Sequence, residues 1–326
     1  MTTIKKYLSL VKFAHTIFAL PFALIGFFLG NWKPIRLYST VLGFYTPEFK
    51  HKSQISDVCS DDSMLNQLIT GANPQFTIIK YFLLVMGCMV FARSAAMAFN
   101  RYLDAKYDAL NPRTAIREIP SGAIKPSNAL TFTIISCLAF IGCTFFINRL
   151  CFYLAPVALI VILFYSYTKR FTALCHLILG LGLSLAPIGG YLAVTGVFAL
   201  LPILFSITVL CWVSGFDVIY ALQDESFDKQ YHLHSIPVAL GKIKALRFSA
   251  FLHLLAAASL VGAGLYGSFG IWYWIGATIF CGLLIYQHLL VKPNDLSKVN
   301  MAFFTTNGIA SVVFAIFVIL DLFLGK

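Results

Sequence analysis

Unbroken apolar runs recur along this sequence, each near the roughly 20 residues that a helix needs to cross a hydrocarbon core about 30 Å thick. They fall near Phe13–Asn31, Thr77–Phe99, Ala129–Ile147, Phe152–Thr168, Leu174–Val194, Phe198–Ile219, Ala245–Leu265, Ile271–Val291 and Met301–Leu322. The runs are continuous and lack the period-two alternation of lipid-facing strands, so helices rather than a barrel are expected. The predicted fold class is all-α, a polytopic membrane protein of about nine spans. Composition agrees: 59% of the 326 residues are hydrophobic and 11% charged, where a soluble domain carries about 25% charged residues.

The basic residues Lys5, Lys6 and Lys12 precede the first run. This resembles a signal peptide, but Phe13–Asn31 is long and has no small-x-small cleavage site, so it reads as a retained span. Seven of the eight cysteines lie in or beside spans, only Cys59 sits in a polar loop, and no CxxC pair occurs. That pattern argues against a disulfide framework or a zinc site.

With nine spans, the N-terminus and the loops at 100–128, 168–173, 220–244 and 292–300 share one face. Counting residues just inside the flanking helix ends, such as Arg247, this face holds sixteen of the 24 basic residues, which the positive-inside rule makes cytoplasmic, in a bacterial inner membrane. The formal charge of +11 is scattered among these loops rather than grouped on a soluble module. It therefore fits anionic lipid and anionic substrate better than nucleic acid.

Acidic residues are scarce, and seven of the thirteen fall in two windows on that face. In AFNRYLDAKYDALNPRTAIREIPSG, Asn100, Asp104 and Asp108 stand at i, i+4 and i+8, which on a helix is one face with about 6 Å between steps. In GFDVIYALQDESFDKQYHLHSIPVALG, Asp217, Asp224 and Asp228 stand at i, i+7 and i+11, with Tyr220 near that face. Two facing carboxylate rows repel unless cations stand between them, and oxygen-only ligands suit a hard ion such as magnesium. The plain alternative is salt bridging with the interleaved Arg101, Lys106, Arg113, Arg117 and Lys229. That accounts for one row as well as a site does, and for two matched rows less well. Ile119-Pro120 and Ile236-Pro237 end the windows alike, which suggests similar loop-to-helix turns and a weak internal duplication.

Together these motifs, with YSYTKR at Tyr165–Arg170, resemble the UbiA-type intramembrane prenyltransferases over nearly all of the chain except roughly Lys33–Gln75. The resemblance implies a single domain over 1–326, with helices around a central cavity. It also implies Mg2+ held by Asn100, Asp104, Asp108, Asp224 and Asp228, the four aspartates being catalytic. The reaction implied moves a polyprenyl group from polyprenyl diphosphate to an aromatic acid in quinone (ubiquinone or menaquinone) biosynthesis. The stretch RSAAMAFNRYLDAKYD is most similar to the 4-hydroxybenzoate type, with a (di)hydroxynaphthoate as the alternative acceptor.

Lys169 and Arg170 resemble the family's basic contacts to the diphosphate; the alternative is an ordinary positive-inside pair. Arg113 and Arg117 resemble positions approaching the donor, or pair with Asp108 or Glu118. Asp217 and Tyr220 match the second motif. Lys12 and His15 stand where the family places a polar pair near the acceptor, while a snorkelling lysine and an interhelical histidine are the alternatives. Arg93, a charge inside the second span, suits an aromatic carboxylate.

The 33–76 segment is longer than the family's first connection and reads as a non-cytoplasmic loop insertion. His232 and His234 form an HxH, but no third ligand at matching spacing supports a metal site there. A cation-coupled transporter is the rival from another class, and it would place its acids near mid-membrane on broken helices. A polyprenyl tail leaves hydrocarbon at a cost of about 0.8 kcal/mol per methylene, so donor and product are expected to move sideways through the bilayer.

Overall fold

The computed structural model describes residues 3–11, 18–32 and 74–325. Lys12, His15 and nearly all of the 33–76 insertion lie outside them. Eleven α-helices are present among the described residues: α1 (Thr3–Val11), α2 (Leu20–Trp32), α3 (Pro74–Leu110), α4 (Pro126–Phe145), α5 (Arg149–Thr168), α6 (Cys175–Thr195), α7 (Leu200–Ala221), α8 (Glu225–Gln230), α9 (Ile236–Tyr266), α10 (Ile271–Leu290) and α11 (Asn307–Leu324). Among the described residues eight helical segments are long and apolar enough to cross a bilayer. The predicted first span is represented by α2, whose 13 residues reach only about 20 Å at 1.5 Å per residue. The chain is an integral membrane protein.

Several predicted span ends are corrected. α3 runs eleven residues past Phe99, to Leu110, because the charged residues after Phe99 do not break a helix. It stops before Asn111-Pro112, where proline disfavours α geometry in the residue ahead of it. α9 begins at Ile236, nine residues before the predicted Ala245. Ser235 caps it by accepting from the Val238 amide, with Pro237 in the first turn. The two Ile-Pro turns are alike only in part. Ile236-Pro237 opens a helix that kinks at Gly241 (φ 74°), whereas Ile119-Pro120 lies in a run of turns and α4 starts at Pro126.

α6 and α7 form the centre, packing on each other, with α2 against α6 and α9 against α7. The core there is aromatic, with Phe22, Phe205, Trp212, Tyr273, Phe280 and Phe314 all buried. α1 is amphipathic and lies against α3. Its buried Leu10 joins Ala98, Ile119, Ile124 and Ala129. Its Lys6 ammonium donates to the Ala123 carbonyl at 3.2 Å and its Ser9 hydroxyl to Glu118. The helix thus clamps the turns at 111–124 that carry Arg113 and Arg117.

Candidate active site

Because α3 remains helical to Leu110, Asn100, Asp104 and Asp108 stand along one face at one end of the bundle. The Asn100 amide donates to Asp104 at 3.0 Å. Asp108, 6% exposed, accepts from Arg117 at 2.6 Å and lies 3.8 Å from the buried Arg101 guanidinium. Its Oδ2 is buried without a hydrogen-bond partner.

The second row is less regular than its spacing predicts. α7 ends at Ala221, a 3-10 turn covers Leu222–Asp224, and α8 starts at Glu225. Asp217 remains on α7, Asp224 falls in the turn, and Asp228 sits on α8 with no exposure.

Basic side chains from two other segments join the rows. Lys169 and Arg170 follow α5. Lys169 holds Asp228 at 2.7 Å, while Arg170 stands 3.5 Å from Asp104 and donates to the Leu103 carbonyl at 2.8 Å. Arg170 also lies over the rings of Tyr107 and Tyr167. Arg113 reaches from the first window to the second, gripping both oxygens of Asp224 at 3.1 and 2.6 Å and donating to the Tyr220 hydroxyl at 3.1 Å. Of the pairings expected for Arg113 and Arg117 with Asp108 or Glu118, Arg117 takes Asp108 and Arg113 takes neither. Burial on its own would lower the Lys169 and Arg113 values. The Asp228 carboxylate outweighs that for Lys169, and Asp224 with Tyr220 outweighs it for Arg113, so both are pushed up and stay charged at neutral pH.

The salt bridges of the plain reading therefore form, and they form around a cavity. A space of about 190 Å³ is lined by all four aspartates together with Asn100, Asn111, Arg113, Arg117, Lys169 and Arg170. Against the four aspartates stand Arg101, Arg113, Arg117, Lys169 and Arg170. Asp217 lines the same space, so its acids and cations are close to balanced, and four basic side chains gathered in a concavity can receive an anion that brings its own cation. Burying ion pairs confers little stability by itself, so a structural role alone does not account for this concentration at one helix end. Among the described residues no three His, Cys, Asp or Glu side chains form a metal cage of their own. Magnesium does not need one, since it takes one or two carboxylates and fills its other positions with water and phosphate oxygens. The oxygen-only carboxylates and the orphaned Asp108 Oδ2 fit such an ion.

A second cavity of about 370 Å³, bounded by apolar side chains such as Val85, Met89, Ala92, Phe140 and Leu183, runs between α3, α4, α5 and α6. Tyr165 lines both cavities, and Arg93 lines the apolar one. Lys12 and His15 lie outside the described residues. The HxH segment contributes backbone, with the His234 amide donating to the Lys169 carbonyl at 2.7 Å.

Sequence reasoning missed His176 altogether. Its Nδ1 pairs with Asp217 at 2.6 Å, and it lines the polar cavity. A histidine at the mouth of an apolar span, on the face that carries the acids, was the available signal. Asn111, which donates to Asp224 at 3.4 Å, and Tyr107 were missed as well.

Residues 68–309 match the family model described as UbiA prenyltransferase family. Among curated proteins the chain is similar to a 4-hydroxybenzoate octaprenyltransferase of Francisella tularensis subsp. mediasiatica, 28% identical over 244 residues, 74% of this chain and 84% of that protein. It is also similar to one of Tolumonas auensis, 28% identical over 248 residues, 76% of this chain and 85% of that protein. Among solved structures, an apo UbiA homolog from Aeropyrum pernix K1 superposes with a TM-score of 0.69 at 26% identity, covering 93% of this chain and 95% of that one. A UbiA homolog from Archaeoglobus fulgidus bound to DMAPP and Mg2+ shares the fold, with a TM-score of 0.66 at 19% identity over 98% of this chain and 99% of that one. The motif geometry and the match across most of the chain agree: this protein belongs to the UbiA prenyltransferase family and is an intramembrane prenyltransferase.

Proposed function

We propose that this protein transfers a polyprenyl group from polyprenyl diphosphate to the ring of 4-hydroxybenzoate, in quinone biosynthesis, with the site opening on the cytoplasmic side of a bacterial inner membrane. The carrying observation is the convergence of both aspartate windows and the Lys169-Arg170 turn on one polar cavity that adjoins an apolar one at Tyr165. The named activity of the two relatives supports the acceptor.

Asn100, Asp104 and Asp108 on one side and Asp224 and Asp228 on the other would hold magnesium, and the Archaeoglobus fulgidus homolog of the same fold is bound to DMAPP and Mg2+. Bound there, the metal supplies charge neutralisation and Lewis acidity toward the diphosphate oxygens. Lys169, Arg170, Arg113 and Arg117 bind the same anion, exchanging carboxylate partners for phosphate oxygens with the same charge-assisted chemistry. The apolar cavity takes the tail and keeps water from the allylic carbon. Arg93, whose Nε is buried without a partner, meets the acceptor's carboxylate. The acids stand at one end of the bundle and not at mid-span, which disfavours a cation path.

The test uses sealed membrane vesicles given magnesium, geranyl diphosphate and either 4-hydroxybenzoate or a dihydroxynaphthoate. Inside-out vesicles should yield prenylated 4-hydroxybenzoate and right-side-out vesicles none. Product from the naphthoate alone would reassign the acceptor, and product from right-side-out vesicles alone would reverse the orientation.

A further inference from the structure

Some group must remove a proton from the acceptor ring after the carbon–carbon bond forms, and the four motif aspartates are poorly placed to do so. In the reading above they hold magnesium once the donor is bound, and before that each is held by a cation, Asp104 by Arg170, Asp108 by Arg117, Asp224 by Arg113 and Asp228 by Lys169. His176 is different. Its Nδ1 lies 2.6 Å from Asp217, and its Nε2 is buried in the polar cavity with no hydrogen-bond partner. An ionised carboxylate only accepts, so Nδ1 carries the hydrogen, and in the neutral ring Nε2 is the lone pair.

The position also fits. His176 stands in the first turn of α6, and one and two turns further along, Leu179 and Leu183 line the apolar cavity. Tyr165, on α5, lines both spaces. The imidazole therefore stands where the head-group cavity gives way to the tail cavity, which is where the allylic carbon and the acceptor ring meet. The contact with Asp217 depends on close packing of α6 on α7. A Cβ at Gly180, one turn from His176, would land on the Ser214 hydroxyl and the Leu210 carbonyl of α7.

Resting on the proposed aryl prenyl transfer, we propose that His176, oriented by Asp217, is the base that takes the ring proton of the aromatic acceptor. The allylic carbon–oxygen bond breaks, its electron pair leaving on the diphosphate. The ring carbon beside the hydroxyl bonds to the allylic carbon. The carbon–hydrogen pair at that position then returns to the ring and the proton passes to Nε2. The imidazolium so formed is met by the Asp217 carboxylate and later gives its proton to water. Cys175 stands beside His176 on α6, and Tyr165 of α5 stands near Asp217.

The experiment follows farnesyl transfer to 4-hydroxybenzoate, unlabelled or deuterated at the two ring positions beside the hydroxyl, by wild type and His176→Gln in detergent with magnesium. His176→Gln should lose roughly 10²-fold or more in kcat, the range of general-base removal. Its KM for farnesyl diphosphate should stay near wild type, and it should show a normal deuterium isotope effect that wild type lacks. Should that variant misfold, His176→Gly with added imidazole serves, and activity should return as imidazole rises. Wild-type kcat in His176→Gln, or a loss with neither isotope effect nor imidazole rescue, overturns the inference and leaves the transfer reaction standing. Failure of wild type to prenylate 4-hydroxybenzoate overturns the reading beneath it.

Discussion

Asp228 is a carboxylate with no solvent exposure, held 2.7 Å from a Lys169 ammonium that is itself about one-third exposed. Removing the lysine leaves the buried charge uncompensated. Lys169→Met should cost about 2 kcal/mol, less than the 3–5 of a fully buried pair because solvent reaches the lysine side. Adding Asp228→Asn should recover most of that stability without restoring transfer. The sign of the pH dependence follows from the raised Lys169 value: the stabilisation is complete below the ordinary lysine range and is lost as pH rises through the raised value. Unfolding midpoints of wild type and variant in detergent should thus stay apart up to the ordinary lysine range and converge on the alkaline side only above about pH 10.4. A gap that closes on raising the pH well before the lysine range would contradict this. The spacing of the motifs made the aspartates, Lys169 and Arg170 legible in the sequence. His176 was not, because its partner lies 41 residues away, and only the packing of two helices brings them together.

At the scale of elements, apolar runs announced the spans, while their ends depended on chemistry that hydropathy does not register. α3 carries its acids on a helical extension that proline terminates, and α9 owes its early start to a serine cap. The spacing of the second aspartate row predicts one helical face, and the 3-10 turn at Leu222–Asp224 breaks that register; nothing in the residue spacing marks such a turn. The closeness of α6 and α7 depends on Gly180, where a side chain would strike α7. Gly180→Val should destabilise by about 1–3 kcal/mol through overpacking. By displacing His176 from Asp217 it should also lower kcat on the order of tenfold or more. Steady-state transfer assays on the folded variant check this, and an unchanged kcat would mean that the helix spacing does not govern the pair.

On the scale of the whole molecule, the fold brings four distant segments to one end of a bundle. These are the end of α3 with the turns after it, the turn after α5, the start of α6, and the α7–α8 junction. The turn after α5 is basic, with Lys169 and Arg170, and the α7–α8 junction is acidic, with Asp217, Asp224, Glu225 and Asp228. Together they line a charged cavity beside an apolar one, an arrangement suited to a substrate with a charged head and a hydrocarbon tail. The most direct test is calorimetric titration of the purified protein with farnesyl thiolodiphosphate, with and without magnesium, in wild type, Asp104→Asn and Asp224→Asn. The two windows acting as one site predict magnesium-dependent binding that either substitution abolishes. Binding that ignores magnesium, or that survives the loss of one window, would contradict it.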